Sequence, residues 1–247
     1  MEYSYLGNTN LKVSKICLGS LTVGPLQANL TLNESLKVFL EAFDKGINFI
    51  DTAEIYENYD HIRNALKHTN KDIIISTKCY AYTKEMMKNS LEKARKELDR
   101  DVIDIFLLHE QESILTVKGH WEAIEYLLEA KEKGLVKAIG ISTHHIKGVE
   151  ACIATPELEI IHAIANYKGI GILDGNIEQM LKALEKAKSL GKGVYSMKPI
   201  GGGNLLNNAE KALKWSFNRP EFHSVALGMQ SVEEVRVNTS YLKKEVP

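Results

Sequence analysis

Four side chains suited to proton chemistry stand where short β-branched runs end. FIDTAEIY supplies Asp51 and, a short turn later, Tyr56; IIISTK ends in Lys78; IDIFLLH ends in His109. A tyrosine hydroxyl ordinarily titrates near pH ~10, too high for an efficient acid at neutrality. An ammonium beside it stabilises the phenolate and lowers that value. Lys78 is the candidate for this, with Asp51 keeping the lysine charged and oriented. A histidine within reach can hydrogen-bond a carbonyl oxygen and fix its angle. Together these groups could hand a proton to a carbonyl oxygen while its carbon receives hydride, giving an alcohol. Singly, each has a plainer reading. An Asp after a strand is most often a cap or turn residue, a Lys there a solvated charge, a His a satisfied polar group, and a Tyr a packing residue. The conjunction matters only if one architecture points all four into one space.

The rest of the chain supplies such an architecture. Apolar or β-branched runs at 15–19, 47–51, 73–77, 103–108, 136–142, 160–166, 194–198 and 224–228 are strand candidates, many apolar throughout, as strands covered on both faces are. Between them, apolar residues recur at helical spacing: Leu36, Phe39, Leu40 and Phe43; Met87, Leu91, Ala94 and Leu98; Trp121, Ile124, Leu127 and Leu128; Ile177, Met180, Leu181 and Leu184. Gly46, Gly134 and Gly191 mark helix ends. Eight strand candidates in 247 residues match a (β/α)8 barrel, which takes ~250 residues. The rival, a doubly wound open sheet, has fewer strands and a Gly-rich first turn, and no GxGxxG occurs. Without a Pro/Gly/Ser-rich linker, residues 1–247 read as one barrel domain. The opening EYSYLGNTNLKV, with its turn signal at Gly7–Asn8, reads as a β-hairpin closing the barrel bottom. A barrel gathers the C-terminal ends of its strands at one mouth, so Asp51, Tyr56, Lys78 and His109 converge there.

Composition removes other classes. With 31 Lys+Arg against 32 Asp+Glu, a formal charge of −1 argues against nucleic acid held by bulk positive charge. The longest uncharged stretch, 16–33, contains Gly, Pro, Gln and Asn, and so reads as strand plus loop, not a membrane span. Cys17, Cys79 and Cys152 form no CxxC pair, so iron–sulfur and structural zinc sites gain no support. An odd cysteine count behind an N-terminus without a secretion signal points to a reducing, cytoplasmic setting. Adjacent His144 and His145 diverge at a strand end, so no metal site is expected there. Trp121 and Trp215 sit on helix stripes and read as core.

FIDTAEIY, STK and FLLH, in that order, resemble the catalytic segments of aldo-keto reductases, and the likeness runs from LGNTNLKVSKICLGS to GMQSVEEVRVNTS. Asp51, Tyr56, Lys78 and His109 fall on that family's Asp–Tyr–Lys–His tetrad. The resemblance implies an NADPH-dependent reductase acting on a small-molecule aldehyde or ketone. Tyr56 would be the acid, Lys78 its tuner, Asp51 the partner of Lys78, and His109 the group that orients the carbonyl. It also implies cofactor positions: Gly19, Ser20 and Leu21 after the first strand; Ser142, Thr143 and Asn166, with His162 where the family has Gln; and Met197 where a Tyr often stacks under the nicotinamide. Lys198, Ile200, Gly201 and Gly202 belong to a turn whose backbone amides can approach a pyrophosphate. Gln230, Ser231 and Asn238 lie at the last helix. Tyr80 and Glu110, with Leu21 and Cys79, would line an open substrate pocket with little loop left for a lid.

The departures from the family concern the cofactor. Thr143 replaces an Asn and Met197 a Tyr. Where the family holds the adenosine 2′-phosphate with Lys or Arg, this chain has Gln230 and Glu234, with Arg236 out of register. NADH, dual use or weak binding therefore stands beside NADPH. FLLHEQES and NYKGIGILDG further resemble a microbial branch whose members often carry a ferredoxin-like, cluster-binding tail; this chain ends at Pro247 without one. Two other functions fit the same residues. Lys78 would serve a Schiff-base lyase if its pKa were depressed, and the altered cofactor contacts would suit a nucleotide-binding sensor or subunit without turnover.

Overall fold

The computed structural model describes residues 1–242; Pro247 and the expectation attached to it lie outside the described residues. Strands β1 (Tyr3–Tyr5) and β2 (Lys12–Ser14) form an antiparallel hairpin. The next eight strands are β3 (Ile16–Gly19), β4 (Phe49–Asp51), β5 (Ile74–Cys79), β6 (Ile103–Leu108), β7 (Val136–Thr143), β8 (Ile160–Ile164), β9 (Gly193–Met197) and β10 (Ser224–Gly228). They run parallel in sequence order, and β10 pairs with β3 to close a barrel. Around them lie α1 (Leu32–Asp44), α2 (Tyr59–Leu66), α3 (Lys84–Leu98), α4 (Ile114–Gly119), α5 (Trp121–Glu132), α6 (Ile146–Ala154), α7 (Ile177–Ser189), α8 (Ala209–Phe217) and α9 (Val232–Ser240). This is the expected (β/α)8 barrel with its separate hairpin.

The alternation of each strand decides where its residues go. Ile50, Ile75, Phe106, Ile139 and Ile161 face outward into the core shared with the helices, which holds the expected stripes: Phe39 and Phe43 of α1, Met87, Leu91, Ala94 and Leu98 of α3, Met180 and Leu184 of α7. Their neighbours Phe49, Ile74, Ile105, Leu107 and Ile160 face inward and fill the lumen, where Leu6, Leu11 and Val13 of the hairpin segment join them. The hairpin thus plugs the barrel bottom, and the bond from Asn8 N–H to Gly191 O (2.8 Å) ties its loop to the segment leading into β9. Each such fully buried side chain is worth roughly 1.5–3 kcal/mol.

Strand limits differ from the sequence reading where polar groups intervene. β4 begins at Phe49 because Asn48 binds the hairpin instead, its Oδ1 accepting from Ser14 N–H (2.7 Å) and its Nδ2 donating to Lys12 O (2.9 Å). β8 stops at Ile164, since Asn166 Oδ1 accepts from Lys168 and Ile170 N–H and turns the chain. β5 runs through Cys79, so Lys78 lies within the strand and is held by its ladder.

Candidate active site

The same alternation that sends Phe49, Ile74 and Leu107 into the lumen sends Asp51, Ser76, Lys78 and His109 inward one layer nearer the mouth. Lys78 Nζ, fully buried, donates to Asp51 Oδ2 at 2.6 Å and to Thr52 O at 2.9 Å. Burial pulls the lysine pKa down, but the Asp51 carboxylate and Tyr56 outweigh it, and the net shift is upward: the ammonium is locked in. Tyr56 sits in a short 3-10 turn, Glu54–Tyr56, directly after β4, and its ring centroid is 5.0 Å from Lys78 Nζ. Burial raises the phenol above its ordinary value despite the lowering pull of Lys78. This corrects the simple expectation of an acid tuned downward: in the free protein desolvation wins. His109 lies edge-on to Tyr56, centroids 6.2 Å apart, and stacks on the half-exposed Tyr80 at 4.3 Å. Burial, helped by the Lys78 cation, drives its pKa down to about 3, and its buried Nδ1 has no partner.

A second layer braces Asp51 from across the barrel. Tyr195 of β9 is fully buried; its hydroxyl donates to Asp51 Oδ1 at 2.9 Å and lies 2.8 Å from Ser76 Oγ. His162 of β8 stacks on Tyr195 with centroids 4.0 Å apart and places Nδ1 3.4 Å from Asp51 Oδ1. Burial holds His162 well below the usual imidazole range, and neither ring nitrogen has a hydrogen-bond partner. Sequence reading singled out His162 only as a replacement and missed Tyr195. The signal for Tyr195 was its spacing, two residues before Met197 and so on the same face of the strand.

Three non-glycine residues with left-handed backbone cluster at this mouth: Glu57 (φ 51°), Glu110 (φ 54°) and Lys198 (φ 54°). Such strain persists only where the surroundings impose it, and it concentrates at functional sites. From Asp51, Tyr56 and His162 a cleft of about 500 Å³ runs past Met197, Lys198, Gly202 and Gly203 to Gln230, Glu234 and Asn238. A Cβ built on Gly202 or Gly203 would meet nothing within 4 Å, so the turn presents bare backbone. A cleft lined by a glycine turn without side chains and by an unpartnered, buried imidazole fits a dinucleotide.

A sequence model described as the aldo/keto reductase family matches residues 15–211. The chain belongs to the aldo/keto reductase family. It is 27% identical to L-galactose dehydrogenase of Arabidopsis thaliana, over 97% of this chain and 88% of that protein. It is 25% identical to an uncharacterised oxidoreductase of Bacillus subtilis, over 96% and 90% of the two chains. An aldo-keto reductase of Bacillus halodurans, solved in its holo form, shares the fold with a TM-score of 0.83 at 22% identity, covering 99% of this chain and 91% of that one.

In this aldo/keto reductase the expected cofactor residues divide into two groups. Gly19, Leu21, Met197, Lys198, Ile200, Gly202, Gln230 and Asn238 line the cleft. Others are occupied within the protein. Ser20 accepts from Asn58 Nδ2 through its carbonyl (2.7 Å) and its hydroxyl (3.2 Å). Ser142 Oγ accepts from Glu110 N–H, Thr143 Oγ1 from His145 N–H, and Asn166 holds its own loop. Gly201 is buried beneath the turn, and Ser231 caps α9 by accepting from Glu234 N–H (3.1 Å). Tyr80 and Glu110 lie beyond His109, outside this cleft, and Glu110 interacts with both Tyr80 and Lys198. Cys79 is buried against Met87 (Sγ to Sδ 3.7 Å), so it does not line an open pocket. Among the described residues no cluster of three or more His, Cys, Asp or Glu could hold a metal, and no helix is long and apolar enough to cross a membrane.

Proposed function

We propose that this oxidoreductase reduces an aldehyde or ketone to an alcohol with a nicotinamide dinucleotide, Tyr56 giving the proton. The observation that carries the reading is the fully buried Lys78–Asp51 pair, braced by Tyr195 and facing Tyr56 at the inner end of the cleft. A bound nicotinamide would supply hydride; the chain's own residues do the rest. Tyr56 is a neutral phenol at physiological pH, as an ordinary tyrosine is, and burial raises its pKa further. As negative charge develops on the carbonyl oxygen the Tyr56 proton moves to it, and the Lys78 ammonium stabilises the phenolate left behind. That stabilisation acts in a dry, preorganised site, where it is strongest. His109, neutral with a pKa of about 3, acts as a hydrogen-bonding group that aims the carbonyl and not as a proton source. Gly202 and Gly203 would take the pyrophosphate, Met197 would pack on the nicotinamide ring, and His162 would meet its polar edge. The family resemblance implies NADPH, with NADH the alternative left open by this chain's departures at Gln230 and Glu234. Three buried, free cysteines accord with a cytoplasmic setting.

The Schiff-base alternative needs a neutral amine, and Lys78 is held as an ammonium by Asp51. The test is reduced-nicotinamide absorbance against a panel of aldehydes and ketones, with NADH and NADPH each as donor. Tyr56→Phe should lower kcat roughly 10²–10⁴-fold while leaving the cofactor Kd within about twofold. An unchanged kcat overturns the acid role. Tight cofactor binding with no turnover across the panel would favour the sensor reading.

A further inference from the structure

We infer that the cleft selects NADH over NADPH, and that Glu234 is the residue that rejects the 2′-phosphate; this rests on the nicotinamide reading above. Tyr56 and Asp51 fix the inner end of the cleft, and the bare backbone of Gly202 and Gly203 lies along it. A dinucleotide whose ring reaches Tyr56 and whose pyrophosphate crosses the glycines puts its adenosine at α9, where Gln230, Glu234 and Asn238 form the far lining.

A 2′-phosphate brings nearly two further negative charges and requires cations or free amides. No cation is offered there among the described lining residues, and the amides of Gln230 and Glu234 are already taken. Glu234 Oε2 accepts from Gln230 N–H at 2.9 Å, and Ser231 Oγ takes Glu234 N–H at 3.1 Å. A carboxylate of the protein thus occupies the place an anion would seek at the start of this helix. Arg236 is turned away: its guanidinium grips Glu41 of α1 through Nε (2.9 Å) and Nη2 (3.2 Å). Among the described residues lining the cleft, Lys198 alone carries a positive charge, and its Nζ lies 3.2 Å from His144 Nε2, toward the end of β7 and not toward α9. The cleft therefore has charge to offset a pyrophosphate and an opposing charge at the ribose. A carboxylate is a good acceptor for ribose hydroxyls and a poor neighbour for phosphate.

The test is direct binding, read from nicotinamide fluorescence as each reduced dinucleotide is titrated with the full chain. NADH should bind at least about tenfold more tightly than NADPH, with the gap narrowing as salt screens the repulsion. Glu234→Gln, which keeps an acceptor for the Gln230 amide, should cut the NADH preference at least about fivefold. Gln230→Lys, which leaves Glu234 in place, should narrow the gap from the other side by adding a cation. Equal or tighter NADPH binding to the unaltered chain, or a preference untouched by both substitutions, overturns the inference and leaves the nicotinamide reading standing. Binding of neither dinucleotide overturns that reading and the inference together.

Discussion

Lys78 is the residue on which the site turns, because it couples charge to shape. Its ammonium is buried with one carboxylate oxygen at 2.6 Å, while Tyr195 donates to the other oxygen at 2.9 Å. Removing one member of a buried pair leaves an uncompensated charge and costs roughly 3–5 kcal/mol, whereas replacing both with apolar groups of similar size is often neutral. Lys78→Met should therefore lower the melting temperature by about 10 °C, given that 1 kcal/mol moves Tm by about 2–4 °C in a chain of this size. The double change Lys78→Met with Asp51→Leu should recover most of that loss while remaining inactive. Circular-dichroism melts of the single and double variants check this. If both melt together, the pair contributes catalysis without the stability coupling argued here. The effect on chemistry and the effect on folding thus separate within two residues.

At the scale of elements, legibility followed the strength of the local pattern. The strands β6 and β10 begin and end where the apolar runs do, and the glycines at 46, 134 and 191 all adopt positive φ after helices, as read. Asp51, Lys78 and His109 are legible as neighbours because each sits at or beside the end of a strong strand signal, with Tyr56 one short turn after Asp51. Tyr195 is not, because a lumen-facing tyrosine in an apolar run looks like any core residue until Asp51 is seen to lie opposite it, on a strand that is not its neighbour in the barrel. Ser142 and Asn166 have loop partners as well, Ser142 Oγ accepting from Glu110 N–H and Asn166 Nδ2 donating to Ile170 O, which no local sequence pattern shows. Sequence gives a residue's place along its strand, and only the closed sheet gives the distance across it. Closure also makes some strand positions intolerant of a side chain. Gly140 of β7 abuts the backbone of Ile160 on β8, so a Cβ there would drive into the carbonyl of its ladder partner. Gly140→Ala should destabilise by about 1–3 kcal/mol or more, since backbone cannot yield as a flexible side chain does. Urea unfolding measures it. A change below about 0.5 kcal/mol would mean that β7 and β8 separate there at little cost.

The whole molecule holds several histidines neutral at once, and that makes its stability depend on pH in a definite direction. Burial, reinforced by Lys78, brings His109 to about 3 and His162 well below 6.5. Burial, reinforced by Lys188, brings His223 to about 4. His223 also joins three parts of the barrel bottom. Its Nδ1 lies 3.0 Å from Val194 N of β9 and its Nε2 3.4 Å from Gly7 N of the hairpin loop, and the neutral ring accepts from one of the two. In the unfolded chain these imidazoles titrate near 6.5. Below that pH the unfolded state takes up protons that the folded state refuses, so stability falls as pH drops from about 6.5 toward the folded values and is level above about 7. Each such histidine contributes at most about 1.4 kcal/mol per pH unit, or about 2 kcal/mol between pH 6.5 and 5. Urea titrations at pH 7, 6 and 5 should show this decline. His223→Gln, although less stable at pH 7 for want of its hydrogen bonds, should lose less on acidification, by close to one proton's worth of slope. Parallel declines in the two proteins would show that the bottom of the barrel accommodates a charged imidazole, and that the acid sensitivity resides with His109 and His162 near the mouth.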